Sequence, residues 1–503
     1  MQSNVLRGFV SIFGAKIITL LLSLLTTPIL VRLLGGAQYG DYAFILSILG
    51  ITMILANAGI FDGTRKYIAE NRNQSYWIEY VFGFYLRVAF VLAFIAALIY
   101  AIFSSLGFSA HFFGDEFTVY FYLLGGLIIC RQAYSVARGG LMGLGLENQS
   151  EPLSILKNAL FAIFGLSFAY VGYGVAGVLA GHIIASLTVS IIMFSILFQK
   201  VNWKAVFSSI SSDFPKRELL SFNSLSVVLI LLTASMYHVD ILILRPLSGS
   251  EATGYYRAAL TIAEFLWFVP NALQIVLLHS TSELWANGKA EDISRMVSKI
   301  SRYNLSLVVL LVIGLAALAD TFIPIYFGSE FEASVLPLIL LLPGVLGFAL
   351  ARPIFAVGQG KGEIRILIAA TGSAALINLI LNVLLIPEYG MAGAAVATSI
   401  GYGSMFVLHT WTARRIGFNP IADLRVTRIL LAGLGTVPVV FGLGTVLPPL
   451  ISLVIVPPVG FIMYATFSLR LHVVDKTEIR QLQKKVPDRF TSLIKSIRRL
   501  GGL

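Results

Sequence analysis

The stretch Tyr173-Gly-Val-Ala-Gly177 returns as Tyr389-Gly-Met-Ala-Gly393, at a sequence offset of 216, each time between two long apolar segments. A second pair, Arg32-Leu-Leu-Gly-Gly-Ala-Gln-Tyr-Gly40 and Arg245-Pro-Leu-Ser-Gly-Ser-Glu-Ala-Thr-Gly254, repeats at an offset of 213 to 214. The dipeptide Ala-Arg occurs at positions 137 and 351, again at an offset of 214. A nearly constant offset at three places indicates an internal duplication, and in membrane proteins the face between such repeats is where substrates bind.

The composition places the chain in a membrane, because 57% of its 503 residues are hydrophobic and only 12% are charged. A soluble core cannot hide that much apolar surface. Fourteen apolar segments have about the length that a bilayer requires. They lie at roughly 8–34, 40–60, 80–104, 117–137, 152–172, 175–198, 219–245, 254–280, 303–327, 333–351, 364–386, 391–413, 427–447 and 449–470.

We therefore predict an all-α polytopic membrane protein of about 14 transmembrane helices. Each repeat has six spans, so both enter the membrane in the same direction, as two six-helix bundles related by a pseudo-twofold along the membrane normal. Two extra C-terminal helices lie outside the duplication. The predicted domains are residues 1–203, 204–420, 421–472 for helices 13 and 14, and a basic tail at 473–503.

The placement of the basic residues that give the net charge of +11 indicates the topology of the chain in the membrane. Lys and Arg occupy alternate breaks between the apolar segments, Arg131, Arg138 and Lys157 being assigned to one of them, whereas the intervening breaks carry mostly acids. By the positive-inside rule both termini are cytoplasmic, which predicts a multi-pass protein of the cell membrane. The same placement gives no sign of a nucleic-acid site.

The tail after the last span is expected to form a separate element. Asp475-Lys-Thr-Glu478 is a plausible capping box that opens a short helix. After Pro487, apolar residues at helical spacing alternate with basic ones, which favours an amphipathic helix on the cytoplasmic lipid surface. A solvated basic tail is the alternative.

No cofactor or metal is expected, because the six histidines are scattered and the single cysteine, Cys130, excludes an intramolecular disulfide.

Polar residues inside apolar segments mark the candidate site, since they usually face the bundle interior or a wet cavity. They follow helical spacing in helices one, two, seven and eight, which we expect to line a central cleft. The substrate-binding candidates are Lys16, Thr27, Asn57, Arg257 and Asn271, and the candidates for ion or proton coupling are Asp240 and Glu264.

Each charged candidate has more than one interpretation. Asp240 or Glu264 can pair structurally with Arg257 or Arg245, bind a coupling cation or proton, or bind substrate. Lys16 lies deep in helix one, where an ammonium suits an anionic head group such as a phosphate, although snorkelling to the surface is the alternative.

The stretch Asp240-Ile-Leu-Ile-Leu-Arg-Pro-Leu-Ser-Gly-Ser-Glu-Ala-Thr-Gly254-Tyr-Tyr-Arg-Ala-Ala resembles the helix seven–eight signature of polysaccharide flippases. Thr27-Pro28-Ile-Leu-Val-Arg32-Leu-Leu-Gly35 and Tyr39-Gly40-Asp-Tyr-Ala-Phe resemble the first two helices of the same family. The family comprises the Wzx-type members of the multidrug/oligosaccharidyl-lipid/polysaccharide exporter superfamily, and the resemblance extends to about residue 470.

The resemblance implies a V-shaped pair of six-helix bundles that moves a lipid-diphosphate-linked glycan from the cytoplasmic to the outer leaflet by alternating access. It also implies a cationic cavity and coupling to H+ or Na+, and it carries Asp240 over from the family signature. In this sequence the cavity cations would be Lys16 and Arg257, with Arg7 as a further candidate. The expected partners are the glycan lipid and membrane lipids, with glycan-assembly enzymes as further candidates.

Two other classes of function remain open. A drug or cation antiporter of the same superfamily would share the fold, with a cavity of acids and aromatics such as Asp240, Glu264, Tyr237 and Trp267. A membrane enzyme of glycan assembly would need a large extracytoplasmic loop with catalytic groups. The outer breaks here are short, the longest near residues 104–117. We therefore expect a transporter and not an enzyme.

Overall fold

The computed structural model describes residues 2–70, 72, 74–209, 214–222, 224–475 and 478, with side chains from residue 14 onward. This part of the chain is helical and contains no strand. The helices are α1 (Gln2–Asn57), α2 (Ile60–Ala69), α3 (Trp77–Ser105), α4 (Phe108–Phe113), α5 (Glu116–Gly143), α6 (Glu147–Tyr170), α7 (Gly174–Phe198), α8 (Trp203–Phe207), α9 (Lys216–Ser221), α10 (Ser224–Phe265), α11 (Phe268–Ala286), α12 (Ala290–Phe327), α13 (Val335–Lys361), α14 (Ile364–Ile416), α15 (Val426–Val446) and α16 (Pro449–Arg470), with a 3-10 helix at Ser329–Ser334.

The all-α polytopic fold is confirmed. Within the described residues, eleven helical stretches are long and apolar enough to cross a membrane. Three of them contain 56, 50 and 53 residues, about twice the length that one crossing needs. Each of these three has a kink at a glycine with non-helical torsions, at Gly35, Gly249 and Gly390. Counted as two crossings each, they give the fourteen predicted spans.

The breaks differ from the prediction in two ways. The loops expected between predicted spans one and two, seven and eight, and eleven and twelve are absent. Each is replaced by a kink at a single glycine inside one continuous helix, α1, α10 or α14. The predicted span 254–280 is instead interrupted between α10 and α11. There the N–H groups of Leu266 and Trp267 donate to the carbonyls of Ala263 and Glu264, three residues back. This tighter hydrogen-bond pattern ends α10 and changes the direction in which α11 continues.

The backbone supports the duplication with three pairs of glycines. Gly35 has φ/ψ of 69/176°, and Gly249, its counterpart in the second repeat, has 84/177°. Gly114 at 112/160° matches Gly328 at 111/156° in the same way. The third pair is Gly174 and Gly390, with φ of 51° and 53°. These positive φ values favour glycine, so the same turn chemistry is present in both repeats.

One of these pairs lies in a repeat that the sequence analysis missed. Phe112-Phe-Gly-Asp-Glu-Phe117 returns as Tyr326-Phe-Gly-Ser-Glu-Phe331 at the same offset of 214. In both copies the glycine ends a helix and the next helical segment follows directly. A search at the offset already established would have found it.

By contacts the chain divides into two compact units, residues 1–254 and 255–503. In the first unit α5 packs against α3 and α7, and α6 packs against α7 and α1. In the second, α13 packs against α11, α12 and α14, while α15 and α16 pack on each other and on α12. This division measures contact density, so the domain boundaries predicted at residues 203, 420 and 472 remain predictions.

The start of the tail is tied to the second unit by a network of charges. Arg302 of α12 is fully buried and donates to Asp423 at 2.8 Å and to Glu478 at 2.5 Å. Arg425 bonds Asp475 at 2.7 Å, which holds the pKa of that carboxyl below its usual value. The N–H of Asp475 donates to the Glu478 carboxylate at 3.0 Å, the reciprocal bond of the predicted capping box. The rest of the predicted amphipathic tail lies outside the described residues.

The Arg302 network yields a stability prediction. Arg302→Met removes the fully buried cation between two carboxylates, one of them 10% exposed, so that among the described residues Glu478 keeps only Lys299 and Asp423 keeps only Arg425 as an ion-pair partner. We expect the free energy of unfolding to fall by about 3 kcal/mol. Fluorescence-detected thermal unfolding in detergent should show a midpoint lower by about 5 °C or more. Arg295→Met is the matched control on α12, because Arg295 is 72% exposed and its contacts to acids are long, at 3.6 and 3.9 Å. Equal shifts in the two variants would contradict the anchoring role of Arg302.

Candidate functional site

The first unit contains a cavity of about 460 Å³ inside its membrane-spanning helices. Its walls come from the C-terminal turns of α1, the start of α2, the middle of α5, the first half of α6 and the first turns of α10. Three of its lining residues are cations, Arg131 and Arg138 on α5 and Lys157 on α6, and one is an acid, Asp62. The cavity therefore has an excess of positive charge.

Two of the cavity cations have no carboxylate partner among the residues that the structure describes. Arg131 makes no ion pair or hydrogen bond there, and Lys157 lies with its ammonium 4.2 Å from the centroid of the Tyr134 ring. An aromatic face stabilises an ammonium but does not neutralise its charge. Uncompensated cations at membrane depth are costly, so their arrangement suits an anionic ligand.

The third cation is held by an acid. Arg138 donates to Glu151 of α6 at 2.6 Å, and the Glu151 side chain is only 4% exposed. The Arg138 Nε is buried without a hydrogen-bond partner, and the guanidinium carbon lies 5.4 Å from the Phe61 ring centroid. The pair joins α5 to α6, so Arg138 contributes both a donor at the cavity and a fixed spacing between its two cationic helices.

Neutral polar groups complete the wall. Asn57, the last residue of α1, donates to Ser135 at 2.6 Å and accepts from the N–H of Phe61 at 3.1 Å. Because Phe61 is in the first turn of α2, the Asn57 side-chain oxygen satisfies one of the free N–H groups of that helix start. The positive end of the α2 dipole thus lies at the cavity, where it also favours an anion.

The cationic residues on α5 and α6 are functional candidates that the sequence analysis misassigned. Arg131, Arg138 and Lys157 were placed in a break between spans, but they lie inside helices of 28 and 24 residues. The missed signal was spacing: Arg131 and Arg138 are seven positions apart, so a helix places them on one face, two turns apart. The predicted span 117–137 stops just before Arg138, although Leu141 and Met142 continue the helix as buried residues.

The predicted candidates in the first unit differ in whether they line this cavity. Asn57 lines it. Lys16 is exposed on α1 and interacts electrostatically with Arg138 and Glu151, although it does not line the cavity. Thr27 is partly buried on the same helix. Asp240 is fully buried in α10, with one carboxylate oxygen accepting the N–H of Ile241 at 2.8 Å.

The candidates in the second unit include one closed pair. Arg257 donates through two nitrogens to both carboxylate oxygens of Glu264, at 3.1 and 3.0 Å. This bidentate geometry is the structural pairing considered from the sequence. Asn271 lies on α11, partly buried, one turn after Trp267. The roles of all seven candidates in binding or coupling remain predictions.

The cationic set is not repeated in the second unit. At the offset of 214, Arg138 corresponds to Arg352, but Arg131 corresponds to Val345 and Lys157 to Thr371. Thr371 is buried and lies 3.1 Å from the Nε2 of His409. Arg352 stacks on Phe348, with 4.3 Å between the guanidinium carbon and the ring centroid.

The second unit has instead an apolar cavity of about 610 Å³. All sixteen of its lining residues are apolar, and they belong to α10, α12, α15 and α16 except for Leu266, which directly follows α10. α15 and α16 are the two helices outside the duplication. A cavity of this kind stays dry and accepts hydrocarbon.

Comparison with known proteins agrees with the fold and the sequence signature. Residues 5–272 match the family described as polysaccharide biosynthesis protein. The chain is 25% identical over 501 residues to the probable low-salt glycan biosynthesis flippase Agl15 of Haloferax volcanii, covering 96% of this chain and 99% of that protein. It is 24% identical over 440 residues to the uncharacterized membrane protein MJ1068 of Methanocaldococcus jannaschii, covering 84% and 85% of the two chains.

Solved structures show the same fold at low sequence identity. The lipid II flippase MurJ in an inward closed conformation superposes with a TM-score of 0.75 at 14% identity, covering 92% of this chain and 98% of that one. An inward-facing multidrug resistance MATE transporter of the MOP superfamily gives a TM-score of 0.68 at 18% identity, covering 81% and 96%. The family match spans more than half of the chain, and the fold is that of two six-helix bundles in this superfamily. The chain is thus a multi-pass membrane protein that belongs to the polysaccharide biosynthesis protein family.

Proposed function

We propose that the protein is a flippase that moves a lipid-diphosphate-linked oligosaccharide or polysaccharide repeat unit from the cytoplasmic to the outer leaflet. The observation that carries this proposal is the cationic cavity of the first unit, where Arg131 and Lys157 lack carboxylate partners among the described residues. Membership in the polysaccharide biosynthesis family and the relation to a glycan flippase support the same substrate class.

The diphosphate is the part of this substrate that the cavity suits. Guanidinium and ammonium groups bind phosphate oxygens with charge-assisted hydrogen bonds, and Arg131 offers a planar set of donors for two oxygens at once. A ligand bearing negative charge removes the cost of holding the two cations at membrane depth. The cations then act as positioning groups that hold the diphosphate while the glycan attached to it crosses the membrane.

The apolar cavity of the second unit suits the lipid part. A polyprenyl chain has only hydrocarbon to pack, and because the bilayer already shields it from water, the cavity holds it through van der Waals contacts. The lining of that cavity presents no group that would need a hydrogen bond. The two helices outside the duplication, α15 and α16, would then serve the lipid chain, which explains why they are present in addition to the two repeats.

The charge of the first cavity argues against the alternative of a drug or cation antiporter. Such a transporter needs acids and aromatics facing its ligand, whereas the cavity here has three cations and one acid. That acid, Asp62, already pairs with Arg65 at 3.3 Å. The cavity would repel a cationic drug, so a similar fold serves a different ligand.

Direction and coupling are further parts of the proposal. We infer alternating access driven by a proton or sodium gradient, with both termini in the cytoplasm of a cell-membrane protein. Asp240 is the candidate coupling group, because it is fully buried and its family signature surrounds it. A buried carboxylate can load and unload a cation as its surroundings change.

The first prediction concerns Arg131 and Lys157, the two cavity cations that have no carboxylate partner among the described residues. In proteoliposomes, Arg131→Gln or Lys157→Gln should raise the half-saturating concentration for a fluorescent lipid-diphosphate glycan by about ten- to hundred-fold. A lost hydrogen bond to a charged group costs about 1.5–3 kcal/mol, which corresponds to that range. Arg131→Lys should recover part of the loss, since it restores the charge without the two-oxygen geometry.

The controls for this experiment are cations of the same types in the same unit. Arg217 and Lys200 are exposed and lie outside the cavity lining, so Arg217→Gln and Lys200→Gln should transport as the parent does. Unchanged flipping in both cavity variants would overturn the site. Export of lipophilic cations by the parent, without any glycan movement, would overturn the function.

A second prediction tests the apolar cavity. Gly314 lines it, and a Cβ atom added there would meet no atom within 4 Å, so Gly314→Leu should extend its side chain into the cavity. We expect the half-saturating concentration to rise about ten-fold for a long polyprenyl substrate and to stay unchanged for an analogue with one or two isoprene units. Gly442→Leu is the control, because Gly442 is exposed on α15, has equal room and lies outside the cavity. Equal effects on long and short substrates would refute the assignment.

A third prediction tests coupling. Asp240→Asn keeps the size of the side chain but removes its charge. Flipping by this variant should no longer respond to an imposed proton or sodium gradient, while the half-saturating concentration for the glycan lipid stays within about two-fold of the parent. The measurement compares initial rates with and without each gradient. A variant that keeps the full gradient response would exclude Asp240 as the coupling group.

A further inference from the structure

The kinks of α1 and α10 bring two short segments of the first unit into backbone contact. A methyl group on Gly40 would overlap the carbonyl oxygen of Ser250, and one on Gly254 would overlap the carbonyl oxygen of Gly36. Gly36 corresponds to Ser250, and Gly40 to Gly254, at the repeat offset of 214. The contact is therefore reciprocal, as in an interface with a twofold axis, and only small residues permit it.

A buried ion pair lies beside this contact. The Nε of Arg245 donates to Asp41 at 2.5 Å, and the two side chains are 13% and 12% exposed. The same guanidinium reaches the carbonyl of Phe113 at 3.4 Å and lies 5.2 Å from the Phe117 ring centroid. Breaking such a pair is costly while it stays dry, and much cheaper once water reaches both charges. We call residues 36–41 and 245–254 together the glycine crossing.

The cationic cavity lies at the other end of the same helices. Residues 36–57 form the second arm of α1, and Met53 and Asn57 at its end line the cavity. Residues 224–248 form the first arm of α10, and Val227 and Ile230 near its start do the same. The helix from Gly40 to Asn57 is about 25 Å long. In between, the His238 ring packs directly on Gly50. The two arms thus touch along one half and enclose the cavity at the other.

We infer that the glycine crossing is a gate on the side of the membrane opposite the cavity, closed in this structure, which separates for substrate release. The inference rests on the proposed function, because a gate needs a transported ligand. The reciprocal backbone contact and the buried Asp41–Arg245 pair would open together, since both join the same two segments. The opening exposes two charges to water, which offsets the loss of their mutual contact.

Crosslinking tests the gate directly. In a Cys130→Ala background, which removes the only cysteine of the chain, the pair Asp41→Cys/Arg245→Cys is bridged with a short bifunctional thiol reagent. Bridging should reduce glycan-lipid flipping at least ten-fold, and a reductant that releases the bridge should restore it. The control pair is Glu291→Cys/Arg295→Cys, an exposed ion pair within α12 that lies outside both cavities, which should transport equally in both forms. A bridged Asp41→Cys/Arg245→Cys protein that flips at its unbridged rate would overturn the gate and leave the proposed function standing.

An accessibility measurement keeps the inference testable if that pair of variants does not fold, or if no glycan movement is found. Ser250→Cys should react with a membrane-impermeant thiol reagent at least ten-fold more slowly than Tyr173→Cys, whose side chain is 65% exposed at a turn predicted on the same side. Adding Gly40→Leu, which the crossing cannot accommodate, should remove this protection. Equal reactivity of the two single cysteines, or protection that survives Gly40→Leu, would overturn the closed crossing whether or not the protein moves glycan lipids.

Discussion

The constraint on which the structure depends is that a charge inside a bilayer needs a partner, because no water is present to solvate it. Most charges of the described helices meet this requirement within the protein: Arg138 with Glu151, Arg245 with Asp41, Arg257 with Glu264 and Arg302 with Asp423 and Glu478. Arg131 and Lys157 do not meet it within the described residues. Under the proposed function, the anionic part of the substrate is the partner that completes them.

The fold could be predicted from the sequence because each of its determinants is local. Length, hydropathy and the recurring glycines specified the spans and the duplication, and Gly35 and Gly249 have nearly the same torsions in the structure. The continuity of the kinked helices could not be predicted. A glycine between apolar segments is compatible with a loop and with a kink, and tertiary packing decides between them.

The candidate site was predicted less completely, for a physical reason. Polar stripes identify residues that face away from lipid, but they do not distinguish charges that are already paired from charges that await a ligand. Arg257 and Glu264 belonged to the clearest stripe, yet they bind each other. Arg131 and Lys157 were taken for topology signals because a positive residue near the end of a span is usually that. Only the packing of α5 and α6 around one cavity distinguishes cations that mark membrane topology from cations suited to bind a ligand.

The glycine crossing has a consequence for how substrate preference can change in this fold. Its contact is made by main-chain atoms of Gly36, Gly40, Ser250 and Gly254, so it carries no information about the cargo. The groups suited to the cargo, by contrast, are side chains of α5 and α6 that take no part in the crossing. If the cavity binds the cargo and the crossing is the gate, as proposed, recognition and movement are encoded by separate residues, and the cavity could be rebuilt for another anionic lipid, by evolution or by design, without changing the gate.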